Sequence, residues 1–301
     1  MSLNFKNVEL SDLEAIGQCV ALSGCRACDF SPVNLFIWRQ IYKNEICIED
    51  GFLFRRSITR VGTPRYTFPL GWGSCGAALD KIRSDAAGFG APLCFSGLTE
   101  DQKDEVTRHF SDLTFNFEPR RDRADYIYST EALASLSGKK YHSKRNFINR
   151  FNQKYGSRAE ISPISHEDLP EIYQYSRIWC EANGCRHDES LEKESCAIAE
   201  ALNNWDKLML SGAVLRLDGK VCAFNFASPI TEDTADVHVE KADDSIEGAY
   251  AVINNALAKM LLPRFRYLNR EEDMGLPGLR QAKESYRPEI LLMRCDALEA
   301  K

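Results

Sequence analysis

The chain predicts an α/β (α+β) fold in which one mixed, largely antiparallel sheet flanked by helices is built twice. Three observations lead there. A helix-start pattern recurs, because Asp12-Leu13-Glu14-Ala15-Ile16-Gly17-Gln18 and Asp168-Leu169-Pro170-Glu171-Ile172-Tyr173-Gln174 share Asp, Leu, Ile and Gln at a single offset of 156. Farther along each half, two apolar runs meet at an Asp-Gly pair, Asp50-Gly51 and Asp218-Gly219, the short-turn signature of an antiparallel hairpin. After each hairpin the pattern continues as strand, helix, strand.

In the first half, Phe5 to Glu9 reads as a short strand, and Ser11-Asp12 starts a helix whose Leu13, Ile16, Cys19 and Val20 fall on one face. Glu45 to Glu49 and Phe52 to Arg55 form the hairpin. Arg65 to Pro69 (strand), Ala77 to Ala87 (helix) and Pro92 to Ser96 (strand) complete the set. The second half repeats it. Arg158 to Pro163 is strand-like, and a helix carries Ile172, Tyr173, Ile178 and Trp179. Met209 to Leu217 and Val221 to Ala227 make the hairpin, followed by Thr234 to Glu240, a helix over Gly248 to Leu262 and a strand over Arg266 to Asn269. The expected organisation is an amino-terminal domain over residues 1–135, a bridging helix over 136–156 and a carboxy-terminal domain over 157–301.

Composition narrows the class. Of 301 residues, 44% are hydrophobic and 27% charged, which is the balance of a soluble globular protein. No apolar run approaches the roughly 20 residues that cross a bilayer, so no integral membrane contact and a cytoplasmic location are expected. The eleven cysteines are odd in number and many sit in apolar runs, as reduced buried thiols do. Cys25-x-x-Cys28 has no second pair or nearby His to complete four ligands, so no metal site is expected.

A net charge of −6 argues against a general DNA binder, yet the charge is unevenly spread. Ser137 to Arg158 carries Lys139, Lys140, Lys144, Arg145, Arg150, Lys154 and Arg158 without one acidic residue. Such segregation on an acidic protein fits either a solvated helix face or an anionic partner such as a phosphate group or an RNA end. The stretch Tyr267 to Pro288, YLNREEDMGLPGLRQAKESYRP, places Arg270, Glu271, Glu272 and Asp273 directly after a buried-looking strand. In α/β sheets, ligands bind beyond the carboxyl ends of strands. A helix then starts near Pro277, with Arg280, Lys283 and Tyr286 spaced to share a face.

KKYHSKRNFINRF, Glu240-Lys241, Glu247-Gly248-Ala249-Tyr250 and LNREEDMGLPGLRQAKESYRP together resemble the soluble family related to the carboxy-terminal domain of phosphatidylglycerol lysyltransferase. The resemblance implies two tandem GNAT-like domains, akin to the Fem-type enzymes that move an amino acid from aminoacyl-tRNA onto an amine or hydroxyl. Ordinary GNAT enzymes hold coenzyme A pyrophosphate on a turn patterned Arg/Gln-x-x-Gly-x-Gly/Ala. Here the matching turn, Lys241 to Gly248, contains Asp243, Asp244 and Glu247 and would repel it. Gly71-Trp72-Gly73-Ser74-Cys75-Gly76 in the first half is the better anion turn on backbone grounds.

The expected activity is acyl transfer of the aminoacyl type, from an activated donor such as aminoacyl-tRNA to a small amine or hydroxyl acceptor. An acyl-CoA-dependent N-acyltransferase and a non-catalytic binder of an RNA end or phosphorylated metabolite are the alternatives. No cofactor is expected unless acyl-CoA is the donor. The reaction needs a base, an oxyanion stabiliser and cations for the donor's phosphates. Candidates for the chemistry are Glu240, Arg270, Glu271, Glu272, Asp273 and Tyr286. Candidates for donor binding are Lys139, Lys140, His142, Lys144, Arg145, Lys241, Asn269, Arg280, Lys283 and Ser285. His238, alternating with Val237 and Val239, faces either the crevice or the core.

Overall fold

The computed structural model describes residues 3–300 and divides into two compact units. The first comprises residues 1–126, 272–282 and 290–301; the second comprises 127–271 and 283–289. This differs from the division expected from the sequence. The basic helix lies wholly inside the second unit, and residues 272–282 and 290–301 return to the first.

Long-range strand pairing explains the difference. The first sheet runs Lys6–Asn7, Glu45–Glu49, Phe52–Ile58, Pro64–Tyr66, Cys94–Leu98, Cys295–Glu299, Phe115–Pro119. Its carboxy-terminal strand therefore lies between two strands of the amino-terminal half, antiparallel to both. Reciprocally, Ile127 to Ser129 pairs antiparallel with Tyr267–Asn269 in the second sheet. Each sheet is completed by a strand from the other half of the sequence.

The second sheet continues from Tyr267–Asn269 through Thr234–Ala242, Lys220–Pro229 and Ser211–Leu217 to Ala159–Pro163. Only the pairing of Thr234–Ala242 with Tyr267–Asn269 is parallel among these. Asp50 and Asp218 both adopt positive φ, 51° and 52°, beside Gly51 and Gly219 at 79° and 77°. These are the left-handed pairs that a two-residue hairpin turn demands, and both hairpins form where the sequence placed them.

Core packing follows the apolar pattern. Phe54, Tyr66, Leu79, Ile82, Phe95, Leu98, Phe110 and Ala297 cluster in the first unit. In the second, helix Ala249–Leu261 buries Ala249, Val252 and Ile253 with Leu215, Ala223 and Phe151, the last from helix His142–Tyr155. Among the helices that escaped the sequence reading are Pro32–Ile37, Glu100–His109 and Glu189–Asn203. Each carries a legible cap, since Ser31, Thr99 and Asp188 accept hydrogen bonds from first-turn N–H groups.

Candidate functional site

The parallel pairing in the second sheet stops at Asp236 opposite Asn269. Past that point one strand continues to Glu240 and Ala242, while the other chain leaves the sheet as Arg270. The opening is bridged by side chains. Arg270 Nη2 donates to Glu240 Oε1 at 2.8 Å, and Asn254 Nδ2, from helix Ala249–Leu261, donates to Glu240 Oε2 at 2.9 Å. Both charged side chains are only 12% exposed. Each Glu240 oxygen thus holds a donor, which suits a positioning carboxylate better than a base.

Two tyrosines and a lysine enclose the pair. The Arg270 guanidinium carbon lies 4.9 Å from the centre of the Tyr286 ring and 5.5 Å from that of Tyr128. Lys144 Nζ sits 3.8 Å over the Tyr286 ring. Lys283 Nζ donates to the Arg270 carbonyl, and the Tyr128 hydroxyl donates to the Lys283 carbonyl at 2.8 Å. Burial pushes the Lys144 ammonium down to about 8, with Arg270 adding to the effect and Glu240 opposing it. Burial raises the Tyr286 phenol above its ordinary range. Arg270 Nη1 and Asn254 Oδ1 are buried without a hydrogen-bond partner, leaving one donor and one acceptor of the cluster unused.

Glu271 leaves this group. Its backbone turns left-handed at φ 56°, with its N–H donated to Asn269 Oδ1 at 2.7 Å. Its carboxylate reaches 3.6 Å from His238 Nδ1, where Asp236 Oδ2 stands at 3.5 Å. The register shift opposite Phe226/Ala227 makes His238 the extra residue of a β-bulge, a device that re-aims a side chain. Its Nε2 shares a 2.7 Å hydrogen bond with Ser228 Oγ. Burial lowers the imidazole to about 3, so it is neutral at physiological pH. Asp236, His238 and Glu271 converge closely enough to hold a divalent cation, as do Cys28, Asp125 and Glu272 in the first unit. The Cys28 thiol donates to Asp125 and Glu272 at 3.4 and 3.5 Å.

The remaining sequence candidates separate. Asp273 is fully buried in the first unit, where Arg280 binds it through Nε at 2.7 Å and Nη2 at 3.0 Å. Arg121 (3.0 Å), the Tyr126 hydroxyl (2.6 Å) and the Gly275 N–H (2.8 Å) also donate to it. Burial alone would raise its carboxyl, but these donors outweigh burial and hold it well below the usual carboxylate range. Asp273 and Arg280 are therefore a structural knot, not members of the Glu240 group. Arg280 and Lys283 share a helix but serve different partners, in different units.

Lys241 points away from its neighbour Glu240, as successive strand residues must. It is buried against Glu194 at 2.7 Å and lies 3.8 Å over the Trp179 ring. On the basic helix, Arg145 donates to the Leu136 and Gly138 carbonyls, and Arg150 pairs with Glu247 at 2.8 Å. Arg158 pairs with Asp218. Lys139, Lys140 and His142 are exposed, the last bonded to Asn146 at 3.1 Å. Ser285 is half-buried. The three glycines of the Gly71 turn have local explanations. A Cβ on Gly71 would stand 2.3 Å from the Gly51 carbonyl, Gly73 has φ 96°, and a Cβ on Gly76 would press on His109.

Two cavities of about 480 and 390 Å³ lie elsewhere in the second unit, the first beside His166, Tyr173 and Trp205, the second beside Glu131, Arg264 and Glu289. Sequence reasoning missed Tyr128 and Asn254. The second had a signal: Asn254-Asn255 interrupts an otherwise apolar helix, and both are buried. Asn255 is structural, donating to the Leu133 and Ala134 carbonyls.

Two mixed sheets flanked by helices, with a splayed parallel pair in the second, define a tandem GNAT-like fold. A tandem GNAT protein from the clavulanic acid biosynthesis pathway shares it, with a TM-score of 0.50 and 10% identity over 100% of this chain and 99% of that one. The chain belongs to the family described as phosphatidylglycerol lysyltransferase, C-terminal, whose model matches residues 21–294. A conserved protein of unknown function from Bacteroides thetaiotaomicron is 37% identical, covering 99% of this chain and 100% of that one, with a TM-score of 0.94. L-PGS from Bacillus licheniformis is 17% identical, covering 97% and 92%, with a TM-score of 0.68. An uncharacterized protein of Mycoplasmoides gallisepticum is 24% identical over 172 residues, 56% of this chain. The match spans about half of that curated relative, 54% of its length.

Proposed function

We propose that this protein transfers an aminoacyl group from an activated ester donor, aminoacyl-tRNA, to a small amine or hydroxyl acceptor. The observation that carries the reading is the Glu240–Arg270–Asn254 bridge at the splayed strand ends, enclosed by Lys144 and Tyr286. Arg270 supplies a fixed cation with an unused Nη1 donor where an ester oxygen gains charge in the transition state. Glu240 holds Arg270 in place, and its charge favours the positive α-amino group of an aminoacyl donor. Exposed Lys139 and Lys140, at the start of the basic helix, offer cations to the donor's phosphates.

The start of helix Ala249–Leu261 favours this donor over acyl-CoA. A Cβ on Gly248 would stand 2.6 Å from the Phe147 carbonyl, so the basic helix itself packs against that turn. Glu247 is spent on Arg150, and Asp243 accepts from Ser245 N at 2.8 Å. An acidic turn already packed by protein is poorly suited to a pyrophosphate.

The test incubates the full chain with mixed bacterial tRNA charged with radiolabelled amino acids and a panel of amines and polyols, then follows label from the tRNA ester into acid-stable or lipid-free product. Chain-dependent transfer supports the reading. Tight coenzyme A binding in calorimetry without tRNA-dependent transfer would favour the acyl-CoA alternative, and tRNA binding without turnover would favour a binding protein.

A further inference from the structure

The Glu240 cluster contains several ionisable groups, and geometry eliminates most of them as a proton acceptor. Both Glu240 oxygens carry donors, from Arg270 and Asn254. Arg270 stays charged at any physiological pH. Tyr286 is a weaker acid than usual in its buried site, so it holds its proton. Lys283 points its amine at the Arg270 carbonyl. Lys144 is left. Its Nζ stands 3.8 Å over the ring of Tyr286, whose centre also lies 4.9 Å from the Arg270 guanidinium carbon. It is half-buried, so a substrate atom can still reach it. Its neighbours on the same helix face away to other partners: His142 bonds Asn146, and Arg145 bonds the Leu136 and Gly138 carbonyls.

We infer that Lys144 is the general base of this site, taking the proton of the attacking amine or hydroxyl. The inference rests on the aminoacyl-transfer reading for its substrates but not for the property it assigns to Lys144. In the forward step the acceptor's nitrogen or oxygen bonds to the ester carbonyl carbon while its proton passes to the Lys144 lone pair. When the carbon–oxygen bond to the donor breaks, the same proton passes from the Lys144 ammonium to the leaving hydroxyl oxygen. The amine is thereby regenerated, and no oxidant or further reactant is needed.

The groups facing Lys144 make this possible. Burial and the Arg270 charge disfavour its ammonium, Glu240 partly offsets them, and the buried Tyr286 beneath it keeps its proton. A lysine titrating at about 8 has an appreciable free-amine fraction near neutral pH, unlike an exposed lysine near 10.4. The same placement distinguishes it from Lys139 and Lys140, which are exposed to solvent.

The first test reads Lys144 directly. Reductive methylation of the full chain with carbon-13 formaldehyde, with Lys144→Arg to assign the signal, should show one dimethyl-lysine resonance titrating near pH 8. A Lys144 resonance that titrates with the bulk lysines above about 10 overturns the proposal. The second test uses the radiolabelled aminoacyl-tRNA assay. Lys144→Arg keeps the charge but cannot lose its proton, so transfer should fall about 10²- to 10⁴-fold with tRNA binding retained. The rise of the wild-type rate through pH 8 should vanish in the variant. An unchanged rate and pH profile in Lys144→Arg overturns the role. If wild-type protein transfers no label while Lys144 titrates near 8, the donor assignment fails and the assigned basicity stands.

Discussion

Replacing Arg270 with methionine removes the cation that holds Glu240 in its nearly buried position. Both side chains are 12% exposed, so water compensates little when one charge is lost. Breaking such a pair from one side costs about 3–5 kcal/mol, because the remaining carboxylate keeps its desolvation penalty and here would retain only the Asn254 donor. At roughly 2–4 °C per kcal/mol for a unit of this size, the transition of the second unit should fall by about 6–20 °C. Urea and thermal unfolding followed by tryptophan fluorescence would read this, since Trp179 and Trp205 both lie in that unit. The double replacement Glu240→Leu with Arg270→Met should recover most of the loss, short of about 1 kcal/mol for the orphaned Asn254 amide. A single-variant cost below about 1 kcal/mol, the range of exposed pairs, would refute the reasoning. So would a double variant no more stable than Arg270→Met.

Asp273 should make the first unit acid-sensitive. Its folded-state pKa is depressed, so its stabilisation is present above the unfolded value near pH 4 and is lost as pH falls below it. The stability gap between wild type and Asp273→Asn should therefore shrink in urea titrations below about pH 4, and a pH-independent gap would contradict this. Gly248→Ala places a side chain at φ 88° with its Cβ 2.6 Å from the Phe147 carbonyl. It should cost at least about 1–3 kcal/mol in thermal unfolding of the second unit. Lys139→Ala with Lys140→Ala should change stability by less than about 0.5 kcal/mol, as both are exposed. The same double variant should weaken tRNA binding and flatten its salt dependence in filter-binding titrations.

Much was legible in the sequence because it depends on neighbours along the chain. The repeated Asp-Leu helix start, the two Asp-Gly hairpins and the alternation of strand with helix are local patterns, and local patterns carry the doubled fold. The charges at the end of strand Tyr267–Asn269 are a local pattern too, and their abrupt onset after a buried strand put Glu240, Arg270, Glu271 and Lys283 forward together. The structure joins Arg270 to Glu240 and Lys283 but turns Glu271 away to His238. Local spacing could not decide how that charged run is divided. A left-handed backbone at Glu271 sends successive acidic side chains to His238, to Cys28 and to the Arg280 knot. Nor could it divide the cations of the basic run, three of which are spent on Glu247, Asp218 and the carbonyls of Leu136 and Gly138. The exchange of strands between the halves was equally hidden, because antiparallel pairing of Cys295–Glu299 with Cys94–Leu98 joins residues about two hundred positions apart. Whether a lysine near a run of seven cations binds phosphate or loses its proton is likewise a matter of burial and of one neighbouring guanidinium. Those are properties of the packed chain, and only the tertiary structure puts Lys144 over Tyr286 and beside Arg270.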